Sequence, residues 1–129
     1  MINYGFTKEL IIPFEKTIEI VTQELKKQGF GILTKIDVKE KFKEKLGIDF
    51  KRYVILGACN PSNAHKAILA EENIGLMLPC NVIVYEDGDN TTVSIIRPIV
   101  AMEMIKNEEL KKIAATVEYQ LKKAFDSIT

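Results

Sequence analysis

The chain has 129 residues, of which 47% are hydrophobic and 28% are charged, with 18 basic and 18 acidic side chains. This size and composition are typical of one globular domain and exclude a disordered chain. The formal net charge of zero argues against nucleic-acid binding, because phosphate recognition needs a clustered excess of Lys and Arg. We therefore expect a single domain over residues 1–129 that binds no nucleic acid.

The cysteine count and the apolar runs bear on the cellular compartment. Two cysteines are too few for a disulfide framework in a domain of this size. Residues Met1–Gly5 lack the basic and apolar regions of a signal peptide. No apolar run approaches the ~18 residues that span a bilayer. The sequence thus predicts a soluble cytoplasmic protein with reduced thiols and no membrane association.

The first predicted elements are a strand and a helix. Residues 2–10 alternate between apolar and polar side chains, with Lys8 as the exception, which indicates a half-buried strand. Apolar residues from Phe14 to Leu25 then recur at helical spacing, and Gly29 marks the end of that helix. A single amphipathic helix of this length is only marginally stable alone, so its apolar stripe is expected to face a sheet.

A second strand, a short helix and a third strand follow. Residues 30–36 are predicted as strand, and Asp37 occupies the N-cap position of a capping box. The helix after Asp37 ends at Gly47, a residue suited to the left-handed conformation. Residues 50–57 predict a third strand whose last four residues are uncharged, as in a strand buried on both faces.

The last third of the chain predicts a hairpin and a long helix. Residues 80–86 and 91–96 read as two strands joined by a turn over residues 87–90. Asn107 is a suitable N-cap for the final helix, which has the most regular apolar stripe of the chain. That stripe consists of Leu110, Ile113, Ala114, Val117, Leu121, Phe125 and Ile128.

These elements, with a third helix after residue 60, give the order β-α-β-α-β-α-β-β-α. The hairpin requires at least part of the sheet to be antiparallel. The expected fold is therefore α+β, with a single, mostly antiparallel sheet of about five strands and helices packed mainly on one face. The final helix is expected to lie across that face.

The two cysteines lie in related motifs, Gly-Ala-Cys-Asn-Pro at 57–61 and Leu-Pro-Cys-Asn at 78–81. In the first motif, Asn60 is suited to cap a helix that begins at Pro61 and ends at Asn73 or Gly75. Amide groups and the positive end of that helix dipole would point at the preceding cysteine. If the second motif enters the neighbouring strand, its cysteine and asparagine lie at the same end of the sheet.

Three interpretations of these motifs remain open. In the first, both cysteines are small buried hydrophobic side chains, and both asparagines satisfy backbone groups at turns. In the second, the motifs form a pocket for a small molecule or an anion, in which helix amides bind any anionic group. The residues predicted to contact that ligand are Cys59, Asn60, Ser62, Asn63, Cys80 and Asn81.

The third interpretation is a thiol-based or metal-dependent enzyme. Its candidate groups are Cys59, Cys80 and His65, the only histidine, and Glu71 or Glu72 would have to complete a metal site. No C-x-x-C pattern is present, and the spacing of Cys59 and His65 does not guarantee contact. The sequence therefore predicts no metal site and identifies no cofactor, and it leaves open whether the protein is an enzyme.

Three blocks of sequence, at 29–38, 56–67 and 74–82, together resemble the family called domain of unknown function 302. The resemblance covers nearly the whole chain. It implies a compact α+β domain of bacteria or archaea, often a homodimer, with no established activity and no catalytic residues to transfer. The motif positions of the family correspond to Cys59, Asn60, Pro61, Pro79, Cys80 and Asn81.

The residues and the resemblance together lead to one expectation with two alternatives. We expect a homodimeric binding or accessory module with a small-molecule or anion pocket near the start of the Asn60 helix. The alternatives are an enzyme that uses Cys59 and Cys80, and a structural dimeric module that binds another protein.

Overall fold

A computed structural model describes residues 2–129 and confirms the predicted order of elements. The strands are β1 (Gly5–Leu10), β2 (Gly31–Asp37), β3 (Tyr53–Cys59), β4 (Cys80–Asp87) and β5 (Asn90–Ile96). The helices are α1 (Phe14–Lys27), α2 (Val38–Leu46), α3 (Pro61–Ala70), α4 (Pro98–Ala101) and α5 (Glu108–Asp126). A 3₁₀ helix, Glu72–Met77, lies between α3 and β4.

The five strands form one sheet in the order β1-β5-β4-β3-β2, and every neighbouring pair is antiparallel. The predicted α+β class is thus confirmed, with a sheet that is wholly rather than mostly antiparallel. In the pairing of β3 with β4, Ala58 lies opposite Cys80. This register brings the two cysteine motifs to the same end of the sheet.

The main core lies between one face of the sheet and helices α1 and α5. Val54 and Leu56 of β3 point into it, together with Val82 and Val84 of β4. A smaller cluster beside it joins α3, the 3₁₀ helix and α5 through Ala67, Ile74, Met102, Leu110 and Ala114. These contacts confirm that the helices pack mainly on one face.

The opposite side of the sheet, which we call the open sheet face, carries the residues that alternate with the core positions. Across its centre these are Thr7 and Glu9 of β1, Thr92 and Ser94 of β5, Ile83 and Tyr85 of β4, and Tyr53 and Ile55 of β3. Within residues 2–129, no helix is long and apolar enough to cross a membrane.

The predicted N-caps are confirmed by hydrogen bonds from the backbone. The side chains of Asp37, Asn60 and Asn107 each accept from the amide three residues later, at 3.0, 3.2 and 3.0 Å. Gly29 and Gly47 adopt the positive φ values, 85° and 67°, that end α1 and α2. Capping is a contact between near neighbours in the chain, which is why it could be predicted from sequence.

Some predicted boundaries were wrong. The first strand begins at Gly5 rather than at residue 2, because the chain bends over residues 3–4. Helix α3 ends at Ala70 rather than at Asn73 or Gly75. The carbonyl of Ala70 accepts a hydrogen bond from Asn107 Nδ2 at 2.8 Å, and Glu71 is extended.

Lys8, the exception in the first strand pattern, points towards the helices. Its Nζ donates to the carbonyl oxygens of Phe125 at 2.7 Å and Ile128 at 2.9 Å, at the end of α5. Such terminal carbonyls lack partners within their own helix. Desolvation lowers the pKa of Lys8 below its usual value. An inward-facing charge on an edge strand also disfavours pairing with another sheet.

Candidate functional site

The two cysteine motifs meet at one narrow cavity between α3, α5 and the ends of β3 and β4. Four of the predicted ligand residues line it, namely Cys59, Asn60, Asn63 and Cys80. The cavity has a volume of about 30 Å³, room for roughly two water molecules. The structure therefore brings these four residues together around a space much smaller than a typical ligand pocket.

The other groups around this cavity are almost entirely apolar. They come from the sheet, from α3 and α5, and from the segments that enclose β4. These residues are Phe30, Ala58, Ala64, Ala67, Leu78, Pro79, Pro98, Met102, Leu110, Ile113, Ala114 and Val117. An apolar wall of this kind suits an uncharged group, since an ion would lose its water without gaining partners.

The two asparagines of the cavity are already engaged by the protein. Asn60 Oδ1 accepts from the Asn63 amide at 3.2 Å and so caps α3. The side-chain Nδ2 of Asn60 lies against Gly29, where an added Cβ would be only 2.8 Å from it. Asn63 Nδ2 donates to Gln120 Oε1 at 2.8 Å, which joins α3 to α5. These contacts give both asparagines a structural role.

Two of the predicted ligand residues and the histidine do not line the cavity. Ser62 and His65 lie exposed on α3. Asn81 is exposed on the open sheet face, opposite Gly57 of β3. Successive side chains of a strand point to opposite faces, so Cys80 and Asn81 share an end of the sheet but not a side.

Both thiols are held in their protonated form. Burial, with a smaller contribution from the neighbouring Cys59, raises the pKa of Cys80 to about 11. Burial also raises the pKa of Cys59. A nucleophilic or metal-binding cysteine needs the opposite shift, towards a thiolate near neutral pH. Among residues 2–129, no group of three or more His, Cys, Asp or Glu side chains is placed to hold a metal ion.

A second concave region, which was not predicted from the sequence, lies on the open sheet face. Its volume is about 730 Å³, and Tyr4, Tyr53 and Tyr85 are among its lining residues. The sequence does carry a signal for it, because Tyr53 and Ile55 on β3, like Ile83 and Tyr85 on β4, alternate with core positions. Large side chains on the face opposite the core indicate a surface that something else covers.

Comparisons with known proteins support the family resemblance that the motifs indicate. The family model described as domain of unknown function DUF302 matches residues 6–128. The crystal structure of an uncharacterized conserved protein DUF302 from Bacillus stearothermophilus superposes with a TM-score of 0.91. That protein is 32% identical in sequence, and the match covers 99% of this chain and 100% of the other. No curated protein matches the chain. The chain therefore belongs to the DUF302 family.

Proposed function

We propose that the protein is a binding or accessory module that holds a small neutral molecule in the cavity between α3 and the ends of β3 and β4. The observation that carries this proposal is the meeting of both cysteine motifs at that one cavity. The contact residues are Cys59, Asn60, Asn63 and Cys80. Ser62 and Asn81 lie outside the cavity and are left out of the proposed contacts.

The surroundings favour a neutral molecule over an anion. The backbone amide of Asn63 in α3 already donates to Asn60 Oδ1, and the side-chain Nδ2 of Asn63 already donates to Gln120. Two protonated thiols offer only weak hydrogen bonds. An anion here would exchange strong hydration for an apolar wall, which is unfavourable.

A ligand larger than about two water molecules requires one wall of the cavity to move. The wall formed by Pro98 and Met102 belongs to α4 and its C-cap, and α4 is a single turn of four residues. Short elements of this kind open at a lower free-energy cost than the sheet or a long helix. We propose that the C-terminal end of α4, at Met102, is the part of the wall that adjusts to the ligand, because the N-terminal end is anchored through the Ile99 amide to Glu118.

The raised thiol pKa values favour this binding module over the thiol-based enzyme. Both cysteines are unpaired, which favours a reducing compartment, and we propose a cytoplasmic location on that ground.

Methyl NMR with two probes of similar size tests the proposal. We expect neutral acetonitrile to shift the methyl resonances of Ala67 and Met102, and the formate anion to leave them in place. Ala64→Val, which adds bulk to the cavity wall, is expected to abolish the acetonitrile shift. Ala115→Val, on the exposed side of α5, is the matched control and should keep it. A response to formate alone would contradict the neutral ligand, and no response to either probe would contradict the site.

We also propose that the module is a homodimer, as the family resemblance implies. Large apolar side chains remain exposed on α3, the 3₁₀ helix and the region of α4, which favours an interface there. They are Ile68, Leu69, Leu76, Ile99 and Met104. The structural module that binds another protein, the remaining alternative, would use the same surface.

A further inference from the structure

The open sheet face presents two rows of side chains that cross the sheet at right angles to the strands. The strand register defines both rows. The first is Glu9, Thr92, Tyr85 and Tyr53, and the second is Thr7, Ser94, Ile83, Ile55 and Ile36. The first row is thus polar and aromatic. The second row has hydroxyl side chains on β1 and β5 and isoleucines on β4, β3 and β2.

The concavity over these rows has the dimensions of a small-molecule site. Its volume of about 730 Å³ lies within the roughly 300–1,000 Å³ of ligand pockets. Tyr53 and Tyr85 stand together at one end, with ring centroids 5.3 Å apart and planes 8° from parallel. Tyr4 borders the concavity just before Gly5 of β1, beyond the second row. Isoleucines such as Ile83 and Ile96 form the apolar lining between them.

The polar groups on this face differ in whether they have a protein partner. The hydroxyls of Thr7 and Ser94 lie 2.8 Å apart and satisfy each other. Within residues 2–129, the side chains of Tyr4, Tyr53 and Tyr85 form no hydrogen bond, and three phenol groups therefore remain available on one concavity. Burial and then the nearby Tyr85 and Tyr4 raise the pKa of Tyr53, so its phenol stays neutral and can donate a hydrogen bond.

The charged side chains around the concavity favour neither a cation nor an anion as the ligand. Glu9, Asp87 and Lys51 lie among its lining residues and are of mixed sign. Lys51 Nζ lies 4.6 Å from the centroid of the Tyr85 ring, where it already has a cation–π partner. The amine of Lys8 is engaged at the end of α5 on the other side of the sheet. A ligand here meets phenols and isoleucines rather than an excess of one charge.

We propose that the open sheet face is a second binding site, separate from the cysteine cavity, for an uncharged, flat aromatic molecule that carries oxygen acceptors, such as an aromatic ketone or lactone. The ring lies on isoleucine side chains and packs against Tyr53 and Tyr85, since aromatic rings favour offset or edge-to-face contacts. The acceptor oxygens receive hydrogen bonds from the phenols.

A second copy of the chain fits this face less well than a ligand does. A twofold interface brings the same patch of each subunit together, so the patch must be complementary to itself. Two concave faces placed together would enclose a void instead of close-packed side chains, and such voids are unfavourable. The proposed dimer surface on α3 and the 3₁₀ helix lies elsewhere and leaves the open sheet face accessible.

Isoleucine methyl NMR with coumarin as the probe tests this site in the whole protein. Coumarin is neutral and flat and has a lactone carbonyl, whereas naphthalene has a similar shape without an acceptor. We expect coumarin to shift the methyl resonances of Ile83 and Ile96 and to leave Ile74, which is buried in the smaller cluster, unchanged. Naphthalene is expected to bind more weakly than coumarin.

Phenol-deleting variants test the recognition step. Tyr53→Phe and Tyr85→Phe are each expected to weaken coumarin binding by roughly 2- to 10-fold, the loss of one neutral hydrogen bond. Tyr119→Phe, on the exposed side of α5, is the matched control and should bind coumarin as the original protein does. Ala64→Val, which fills the cysteine cavity, should also leave coumarin binding unchanged and so separates the two sites.

Three results would overturn the second site. One is an unchanged Ile83 resonance throughout a coumarin titration. Another is equal affinity for coumarin in the Tyr53→Phe, Tyr85→Phe double variant, because the phenols would then play no part in recognition. The third is a dimer that Ile83→Lys dissociates, which would assign the face to a second copy of the chain.

Discussion

Asn60 shows how one side chain both stabilises the protein and limits the chemistry of the site. Its Oδ1 caps α3, and its Nδ2 lies against Gly29 at the end of α1. The cap was predictable from the sequence, because the donor is only three residues away. The contact with Gly29 was not, because it joins residues that only the folded chain brings together. As a result, an asparagine that looked available for a ligand is largely committed to the protein.

The two cysteines, like Asn60, behave differently in the folded protein from what their sequence motifs indicate. A cysteine before a helix start is often activated, since amide groups and the helix dipole stabilise a thiolate. Here burial outweighs that effect and raises the pKa of both thiols. The cost of transferring a charge into an apolar cavity is the physical reason.

Alkylation by iodoacetamide measures this shift. In the unsubstituted protein, with the two thiols resolved by peptide mass spectrometry, we expect native Cys80 at pH 8 to react ~100-fold more slowly than in the urea-unfolded chain. The reason is a pKa of about 11 instead of the usual 9.0, which leaves less thiolate. The native rate should keep rising to about pH 11. A raised folded pKa stabilises the folded state below pH 9, and that contribution is lost as the pH rises through 11.

The pH profile separates ionisation from steric protection. Restricted access alone would slow the reaction by the same factor at every pH, and the rate would level off near the ordinary thiol pKa. A native profile that levels off near pH 9 would therefore contradict the raised pKa of Cys80.

At the scale of elements, the buried carboxylate of Glu118 joins α5 to Arg97, just before α4, and to Ile99 in α4. Arg97 Nε and Nη2 each donate to Glu118 Oε2 at 3.1 Å, and the Ile99 amide donates to Oε1 at 3.1 Å. Glu118 is only 7% exposed. Its spacing in the sequence places it beside Ala114 and Leu121 of the apolar stripe, but no local pattern identifies Arg97 as its partner.

Replacing Glu118 is expected to be costly. Glu118→Ala leaves Arg97 Nε and Nη2 and the Ile99 amide without their acceptor, and we expect the free energy of unfolding to fall by about 2–4 kcal/mol. Glu109→Ala, in an exposed pair with Lys112 at 3.9 Å, is the matched control and should change it by less than ~0.5 kcal/mol. Urea denaturation followed by circular dichroism measures both values. Equal effects of the two substitutions would show that the Arg97–Glu118 pair does not stabilise the protein.

Helix α2 is an element whose existence was predictable and whose environment was not. It has an N-cap at Asp37 and no buried residue. Phe42 packs on Phe50 with centroids 5.1 Å apart, and Phe50 lies 6.5 Å from Tyr53. This line of rings joins α2 to the tyrosine end of the open sheet face, away from the main core. The sequence indicates an amphipathic helix but not which side of the sheet it contacts.

At the scale of the whole molecule, the proposed dimer has a direct test. Leu76 is 91% exposed on the 3₁₀ helix, and we expect Leu76→Asp to weaken the dimer at least ~10-fold, since burying a leucine contributes about 1.5–3 kcal/mol. Leu33→Asp, at a residue 66% exposed on β2, is the matched control and should leave the dimer unchanged. Sedimentation equilibrium measures the association. A monomer at every concentration, or a dimer that Leu76→Asp does not affect, would contradict this interface.

The sequence by itself determined the order of the elements, their caps, the α+β class and the family. These features depend on hydrophobic periodicity and on contacts between residues a few positions apart, and both can be identified in the sequence. It also identified the two motifs that meet at the cysteine cavity.

Only the tertiary structure decided which groups share a side of the sheet. Cys80 points to the cavity and Asn81 to the open sheet face, and a change of strand register by one residue would reverse both. The raised thiol pKa values, the pair of Arg97 with Glu118 and the three tyrosines on one concavity likewise depend on residues far apart in sequence. The strength of each of these interactions is determined by burial, and burial is a property of the packed molecule rather than of any local pattern.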